Sequence, residues 1–269
     1  MQPSDASRPY YLVFDIETVP DGTLLQKTKY PGEDLTPDQA VLRAQEETKA
    51  SSPTGSDFLS TSVQIPIALC TARIGADFSL QNLRSMDVPH YRPREIVRQF
   101  WDGLAKMKFK LVSFNGRGFD IPVLELAAFR YGVSVPHHFA KKNGYRHRYC
   151  DEHLDLLDFL TNYGAIRMTG GLNLLAKLLG KPGKMDTKGS DVYALHREGR
   201  IQEINDYCCY DVLDTYFVFL RTRVLMGELA PDQELQLVEE ARKWIAHRAL
   251  EQPHLKKYLD HWTTDTNWP

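Results

Sequence analysis

Two carboxylates follow an apolar run near the start of the chain. Asp15 and Glu17 come directly after Tyr10–Phe14, a run that predicts a strand buried on both faces. Because side chains alternate along a strand, both acids point to one face, where they repel each other and lose solvation. A divalent cation that prefers oxygen ligands, Mg²⁺ or Mn²⁺, would make this arrangement favourable. The alternative is a strand that leaves the core and ends in two solvated acids.

A third acid, Asp120, follows a second short apolar run. Leu111–Phe114 predicts a strand, and the glycines after Asn115 predict a tight turn into a helix that ends near Tyr131. If the two strands are neighbours, all these acids open into one crevice, the usual ligand position in an α/β sheet. The alternative is that Asp120 caps the helix by accepting hydrogen bonds from its free backbone amides.

The fourth candidate acid comes from a long amphipathic helix predicted over residues 201–226. It carries two overlapping Tyr-x-x-x-Asp pairs, Tyr207 with Asp211 and Tyr210 with Asp214. With a rotation of about 100° per residue, the first pair follows the inward stripe, whereas the second turns toward Arg221 and a solvated face. An inward acid needs a partner, so we select Tyr207 and Asp211.

A substrate strand would also need positive charge and flat apolar surfaces. The segment 137–149 contains no acid and interleaves basic with aromatic residues. Phosphate contacts and base stacking together give sequence-tolerant binding of single strands, although a solvated surface loop has the same composition. The predicted contacts are Lys141, Lys142, Arg146 and Arg148, with a second and weaker group at Lys181, Lys184 and Lys188.

Histidine and cysteine residues offer a competing metal interpretation. The spacing of His147, Cys150 and His153 has some character of a zinc site, but no fourth ligand stands at a familiar spacing. The adjacent Cys208 and Cys209 would point in different directions on a helix, which is typical of small core residues.

The composition limits the class of protein. Of 269 residues, 42% are apolar and 25% are charged, which is typical of a folded globular protein. The net charge of −2 means that a polyanion must be held by a local patch. Apolar runs fall far short of the roughly 20 residues of a membrane span, and the N-terminus lacks a secretory signal. We therefore expect a cytoplasmic protein with no membrane partner.

The order of the patterns predicts one α/β domain with a helical C-terminal portion. The domain covers residues 10–250, between an N-terminal tail at 1–9 and a loosely held C-terminal tail at 251–269. Residues 20–61 interrupt the core pattern as an insertion with one helix and a flexible loop.

Individual elements are predicted by periodicity and by capping residues. In the insertion, Thr36-Pro37-Asp38-Gln39 predicts the start of a helix that reaches about Lys49. Elsewhere, strands are predicted at 64–74 and 78–84, and helices at 96–104, 172–179, 201–226 and 231–250.

The three acid-bearing segments, taken in order, resemble the motifs of DEDD 3′-5′ exonucleases. A tyrosine four residues before the last acid is typical of the DEDDy subgroup, whereas the related subgroup has histidine at the position of Asp206. Over about residues 10–225 the chain most resembles a bacterial family of predicted exonucleases similar to the proofreading domain of family-B DNA polymerases. The segments are Phe14–Thr18, Asn115–Asp120 and Tyr207–Thr215.

The resemblance implies an RNase H-like fold, with a mixed five-stranded sheet flanked by helices, and a site for two Mg²⁺ or Mn²⁺ ions. It implies that Asp15, Glu17 and Asp211 hold one ion. Asp15 would bind the second ion, with Asp120 contributing directly or through water, and Tyr207 would orient the attacking water. The nucleic-acid contacts expected from the second motif are Asn115 and Phe119.

The expected function is therefore a metal-dependent 3′-5′ exonuclease that hydrolyses the terminal phosphodiester bond of single-stranded or frayed DNA. Two cations would stabilise negative charge on the attacking and leaving oxygens. Two alternatives remain: the same chemistry on RNA, and a catalytically silent module that binds nucleic acid.

Overall fold

A computed structural model describes residues 9–140, 145–185 and 189–263. They contain a five-stranded sheet in the order β3-β2-β1-β4-β5. The β1–β4 and β4–β5 pairs are parallel and the other pairs are antiparallel, so the mixed sheet is as predicted. The strands are β1 (Pro9–Pro20), β2 (Gln64–Gly75), β3 (Leu80–Ser85), β4 (Lys110–Ser113) and β5 (His153–Asp155).

Helices flank the sheet, and the predicted helical patterns all correspond to helices of the structure. Among the described residues, no helix combines the length and the apolar character that crossing a bilayer requires. The helices are α1 (Gly22–Thr28), α2 (Pro37–Ser51), α3 (Pro93–Lys106), α4 (Asp120–Tyr131), α5 (Pro136–Ala140), α6 (Leu156–Leu160), α7 (Gly171–Leu178), α8 (Val192–Arg197), α9 (Ile201–Leu225), α10 (Pro231–Arg248) and α11 (His254–Asp260).

The central strand β1 divides two apolar cores. Its even-numbered residues, such as Phe14, pack against α3 and α4, whereas Val13 packs in the core that contains α9. Both side chains are fully buried, which explains the unbroken apolar run. Asp15 and Glu17 share the parity of Val13, so they project toward α9. The strand continues to Pro20, and the two acids therefore lie within it rather than after it.

The insertion at 20–61 forms a small core of its own. The predicted capping box is present: the Gln39 amide donates to Thr36 Oγ1 at 3.2 Å, and the Thr36 amide donates to Gln39 Oε1 at 2.7 Å. The helix α1 was not predicted, because its seven residues are too few to show a period. The buried apolar residues of the insertion are Leu25, Tyr30, Ala40, Val41, Ala44 and Leu59.

The expectation of a loosely held tail from residue 251 is wrong through residue 263. Leu255 and Tyr258 of α11 are fully buried. The Thr263 amide donates to the Gly180 carbonyl at 3.0 Å, which fixes the end of the described chain to the loop after α7.

The expectation of a solvated face for Tyr210 and Asp214 is also wrong. Asp214 is 0% exposed and Tyr210 is 6% exposed. The Tyr258 hydroxyl donates to Asp214 Oδ1 at 2.7 Å, so α11 covers the face that the helix pattern assigns to solvent. Arg221 instead pairs with Glu234 of α10 at 2.8 Å.

Candidate metal and catalytic site

Three of the predicted acids converge between β1 and α9. Asp15, Glu17 and Asp211 each offer a carboxylate oxygen, and these three oxygens lie within 4.8 Å of one another. The alternation of β1 supplies two of the acids, and the inward stripe of α9 supplies the third. The alternative of two solvated acids at a strand end does not describe this geometry, because Glu17 is only 9% exposed.

The fourth acid is held beside this cluster by the backbone of β1. Asp120 is the first residue of α4, and its Oδ1 accepts a hydrogen bond from the Ile16 amide at 3.2 Å. Ile16 lies between the two acids of β1, so this bond joins the second motif to the first. The helix-cap alternative is not what the structure shows, because Phe119 occupies the N-cap position and Asp120 reaches across to the strand.

Burial and mutual repulsion dominate the electrostatics of the four acids. Loss of solvation raises the pKa of Asp15 and of Glu17 well above the ordinary values, and the neighbouring carboxylates raise both further. Burial likewise raises the pKa of Asp120 to about 7 and that of Asp211 to about 6. The residues present fit hard divalent cations, because the donors are all oxygen and the cluster carries surplus negative charge.

Tyr207 and Cys208 of α9 each donate to one acid. The Tyr207 hydroxyl hydrogen-bonds the Asp211 carboxylate. Cys208 Sγ lies 3.3 Å from the Asp15 carbonyl oxygen and 3.7 Å from its Oδ2. From the sequence, Cys208 was expected only as a core residue. Its position three residues before Asp211, on the same helix face, was the available signal.

One predicted basic residue lies near the cluster. The positive charge of Lys184 lowers the pKa of Glu17 and of Asp211. Its side chain is exposed, and its amide donates to Asn173 Oδ1 at 2.8 Å. In contrast, Lys181 is 6% exposed, and its Nζ lies 4.1 Å from the ring centroid of Trp262. Lys184 is thus the accessible cation, and Lys188 lies outside the described residues.

The turn that carries the second motif is held by Asp155, which sequence analysis did not select. Its carboxylate accepts hydrogen bonds from the amides of Asn115 and Arg117, both at 2.9 Å. Gly116 is required by close approach, because a Cβ there would lie 2.2 Å from Ser113 Oγ. Asp155 thereby fixes the turn from which Phe119 and the fourth acid follow.

The basic segment 137–149 is described only in part, since Lys141 and Lys142 lie outside the described residues. Arg146 pairs with Glu125 of α4 at 3.0 Å, which partly neutralises it as a phosphate contact. Arg148 is exposed and its guanidinium lies 5.9 Å from the ring centroid of Tyr163. The role of this segment in binding nucleic acid stays a prediction.

The zinc interpretation fails at His153. One ring nitrogen lies 2.8 Å from Ser113 Oγ and the other lies 2.9 Å from the Tyr145 carbonyl oxygen. Burial lowers the pKa of His153 to about 3, so the ring is neutral and both nitrogens are already engaged. It is a structural histidine of the β4–β5 core.

The fold and the acid cluster together define an RNase H-like α/β protein, as expected. A solved structure with a similar fold is a family B DNA polymerase from the hyperthermophilic archaeon Pyrobaculum calidifontis, at a TM-score of 0.50 and 16% identity. The likeness covers 80% of this chain and 24% of the polymerase, so the chain spans about a quarter of that protein's length. No curated protein matches the chain in sequence.

The family is shown by a match over most of the chain. Residues 56–262 match the family described as predicted 3′-5′ exonuclease related to the exonuclease domain of PolB, and the chain belongs to this family. The matched region contains Asp120, Tyr207 and Asp211 and extends through α11. Asp15 and Glu17 lie before its first residue, so their place in the site depends on the geometry of β1.

Proposed function

We propose that the protein is a DEDDy-type 3′-5′ exonuclease that removes nucleotides from single-stranded or frayed DNA ends with two divalent cations. The observation that carries the proposal is the convergence of Asp15, Glu17 and Asp211, whose oxygens lie within 4.8 Å of one another. Membership in a family of predicted exonucleases supports it. The DNA polymerase with a similar fold favours DNA over RNA as the substrate.

The four acids would supply ligands to two cations. Asp15, Glu17 and Asp211 would hold one ion, and Asp15 with Asp120 would hold the other. Such ions, Mg²⁺ or Mn²⁺, lower the pKa of water and offset negative charge on the scissile phosphate and the leaving oxygen. The Ile16 amide orients the Asp120 carboxylate, and the Cys208 thiol contacts Oδ2 of the Asp15 carboxylate.

The hydroxyl of Tyr207 positions water rather than removing its proton. Burial, followed by the negative charges of Asp211 and Glu17, raises the pKa of Tyr207 above its ordinary value. The phenol therefore keeps its proton at neutral pH and acts as a hydrogen-bond donor and acceptor. The exposed Lys184, whose charge already acts on Glu17 and Asp211, offsets the charge of an incoming phosphate.

The silent-module alternative is less consistent with the electrostatics. Four carboxylates with raised pKa values cost stability in a protein that binds no cation. The RNA alternative has the same site, and contacts to the 2′-hydroxyl would decide between the substrates.

The test is digestion of 5′-labelled DNA and RNA oligonucleotides of one sequence, side by side, with Mg²⁺ or Mn²⁺. We expect a ladder that shortens from the 3′ end of DNA, and a loss of about 10²-fold or more in rate in Asp211→Asn. Glu239→Gln, an exposed acid on α10, is the matched control and should keep full rate. Preferential digestion of RNA would overturn the substrate assignment, and no shortening of either would refute the proposed activity.

A further inference from the structure

The last loop of the insertion holds an exposed phenylalanine in contact with a residue of the second motif. Phe58 is 56% exposed, although the next residue, Leu59, is 5% exposed and packs in the insertion's own core. The ring centroid of Phe58 lies 5.5 Å from that of Phe119, with 60° between the ring planes. The two rings therefore form one aromatic surface, built from the insertion and from the second motif.

This surface is tied to β1 through a short chain of hydrogen bonds. The Gln64 side-chain amide donates to the Leu59 carbonyl at 3.0 Å, and Gln64 Oε1 accepts from the Thr18 hydroxyl at 3.0 Å. Thr18 directly follows Glu17. The backbone beside Phe58 is thus fixed relative to one of the metal-binding acids, even though Phe58 itself lies outside the core.

The ring of Phe119 is held near β1 through the residue that follows it in the chain. Phe119 directly precedes Asp120, whose Oδ1 accepts from the Ile16 amide between the two acids of β1. Phe119 is half-buried and packs against the core of α3 and α4. Both rings are therefore next in sequence to a residue that is linked to β1. Asp120, which follows Phe119, is hydrogen-bonded to β1 directly, and Leu59, which follows Phe58, is linked to it through Gln64.

We propose that Phe58, together with Phe119, forms the surface on which an unpaired base at the 3′ end of the substrate strand stacks. The inference rests on the proposed exonuclease function and assigns a substrate contact to the insertion. Stacking on an aromatic face tolerates every base, and it requires that the base has left its partner. Stacking of the terminal base on this surface would place the terminal phosphodiester over the acids. It would also favour single-stranded or frayed ends as substrates.

The test is binding of a short 5′-fluorescein-labelled oligothymidylate, measured by fluorescence polarisation in EDTA so that no cleavage occurs. Phe58→Ala should raise Kd by about 5- to 100-fold, and Phe58→Trp should keep the affinity of the wild type. Leu42→Ala is the matched control, since Leu42 is 43% exposed on α2 of the same insertion. Equal affinity of Phe58→Ala and the wild type would overturn the proposal.

A second arm locates the stacked base. An oligothymidylate whose 3′-terminal nucleotide lacks its base should bind the wild type more weakly by the same factor. Phe58→Ala should lose nothing further with that probe, because the two changes remove one contact. Fully additive losses would place Phe58 elsewhere on the strand and overturn the assignment.

The outcomes also separate this inference from the proposed function. If the wild type shortens DNA and Phe58→Ala binds and digests it equally well, only the stacking surface is wrong. If the wild type binds the probe through Phe58 but shortens no strand with Mn²⁺, the stacking surface stands and the exonuclease activity is refuted. An unchanged Mn²⁺-induced rise in Tm in Phe58→Ala would show that the metal site is intact.

Discussion

The carboxylates of Asp15, Glu17 and Asp211 are unfavourable neighbours in the absence of a cation. Each is raised in pKa by burial first, and for Asp15 and Glu17 by the other acids next. The folded, metal-free protein therefore holds protons that the unfolded chain releases above about pH 4. Because these acids bind more protons in the native state, their contribution to stability falls as the pH rises through about 6 to 7, the pKa values of Asp211 and Asp120.

Asp15→Asn should relieve this repulsion. In EDTA at about pH 8, we expect the variant to be more stable than the wild type by about 1–2 kcal/mol, which is ~2–8 °C in Tm. At about pH 5.5 the gain should be smaller, since more of the wild-type acids are protonated there. Burial lowers the pKa of His153 to about 3, so its contribution to the stability of the protein rises with pH. This contribution is the same in the variant and in the wild type, and it cancels in the comparison. Thermal melts at the two pH values measure the difference, and a gain that does not grow with pH would contradict the electrostatic account.

Tyr207→Phe should separate positioning of water from metal binding. The phenol donates to Asp211 and keeps its proton, so its removal should lower the cleavage rate by about 10²-fold through misplacement of the attacking water. The rise in Tm with Mn²⁺ should remain, because no carboxylate is lost. Single-turnover digestion together with melting curves checks both. A variant with the wild-type rate, or with no response to Mn²⁺, would contradict this role.

At the residue scale, the alternation after Phe14 correctly predicted that Asp15 and Glu17 share one face of β1. The helical stripe also placed Asp211 on the buried side of α9, but the same periodicity wrongly assigned Asp214 to solvent. The donation of Cys208 to Asp15 could not be predicted, because it depends on how closely α9 approaches β1. The support of Asn115 by Asp155 likewise depends on the pairing of β4 with β5.

At the scale of elements, α11 explains two wrong predictions together. His254–Asp260 buries only two residues, Leu255 and Tyr258, which is too weak a pattern to distinguish a helix from a tail. The helix α11 packs on the face of α9 that carries Asp214. Because α11 was not predicted, that face of α9 was expected to be solvated. A polar pair on a helix does not reveal, from sequence alone, that another element covers it.

Tyr258→Phe should test this contact. It removes the donor to Asp214 Oδ1, and burial already raises the pKa of Asp214 to about 8. Leaving this buried carboxyl without the phenol should lower the free energy of unfolding by about 1–3 kcal/mol. Lys256→Ala, an exposed change on the same helix, is the control and should leave stability nearly unchanged. Urea unfolding measures both, and an unaltered midpoint in Tyr258→Phe would show that the contact contributes nothing.

At the scale of the whole molecule, the fold gathers acids that are almost two hundred positions apart in the chain. The parallel pairing of β1 with β4 places the first and second motifs side by side, and α9 packs across β1 to bring the third. The RNase H-like fold could be predicted through the resemblance of the three motifs. The core of the insertion and the docking of the C-terminal helix could not, since both depend on tertiary contacts that local periodicity does not show.

The most direct test of the account is anomalous scattering from manganese in crystals soaked with Mn²⁺. We expect two peaks, one bounded by Asp15, Glu17 and Asp211 and the other between Asp15 and Asp120, and we expect both to be lost in crystals of Asp15→Asn. Peaks elsewhere on the surface, or an empty cluster at saturating Mn²⁺, would contradict the claim that these acids form a two-cation site.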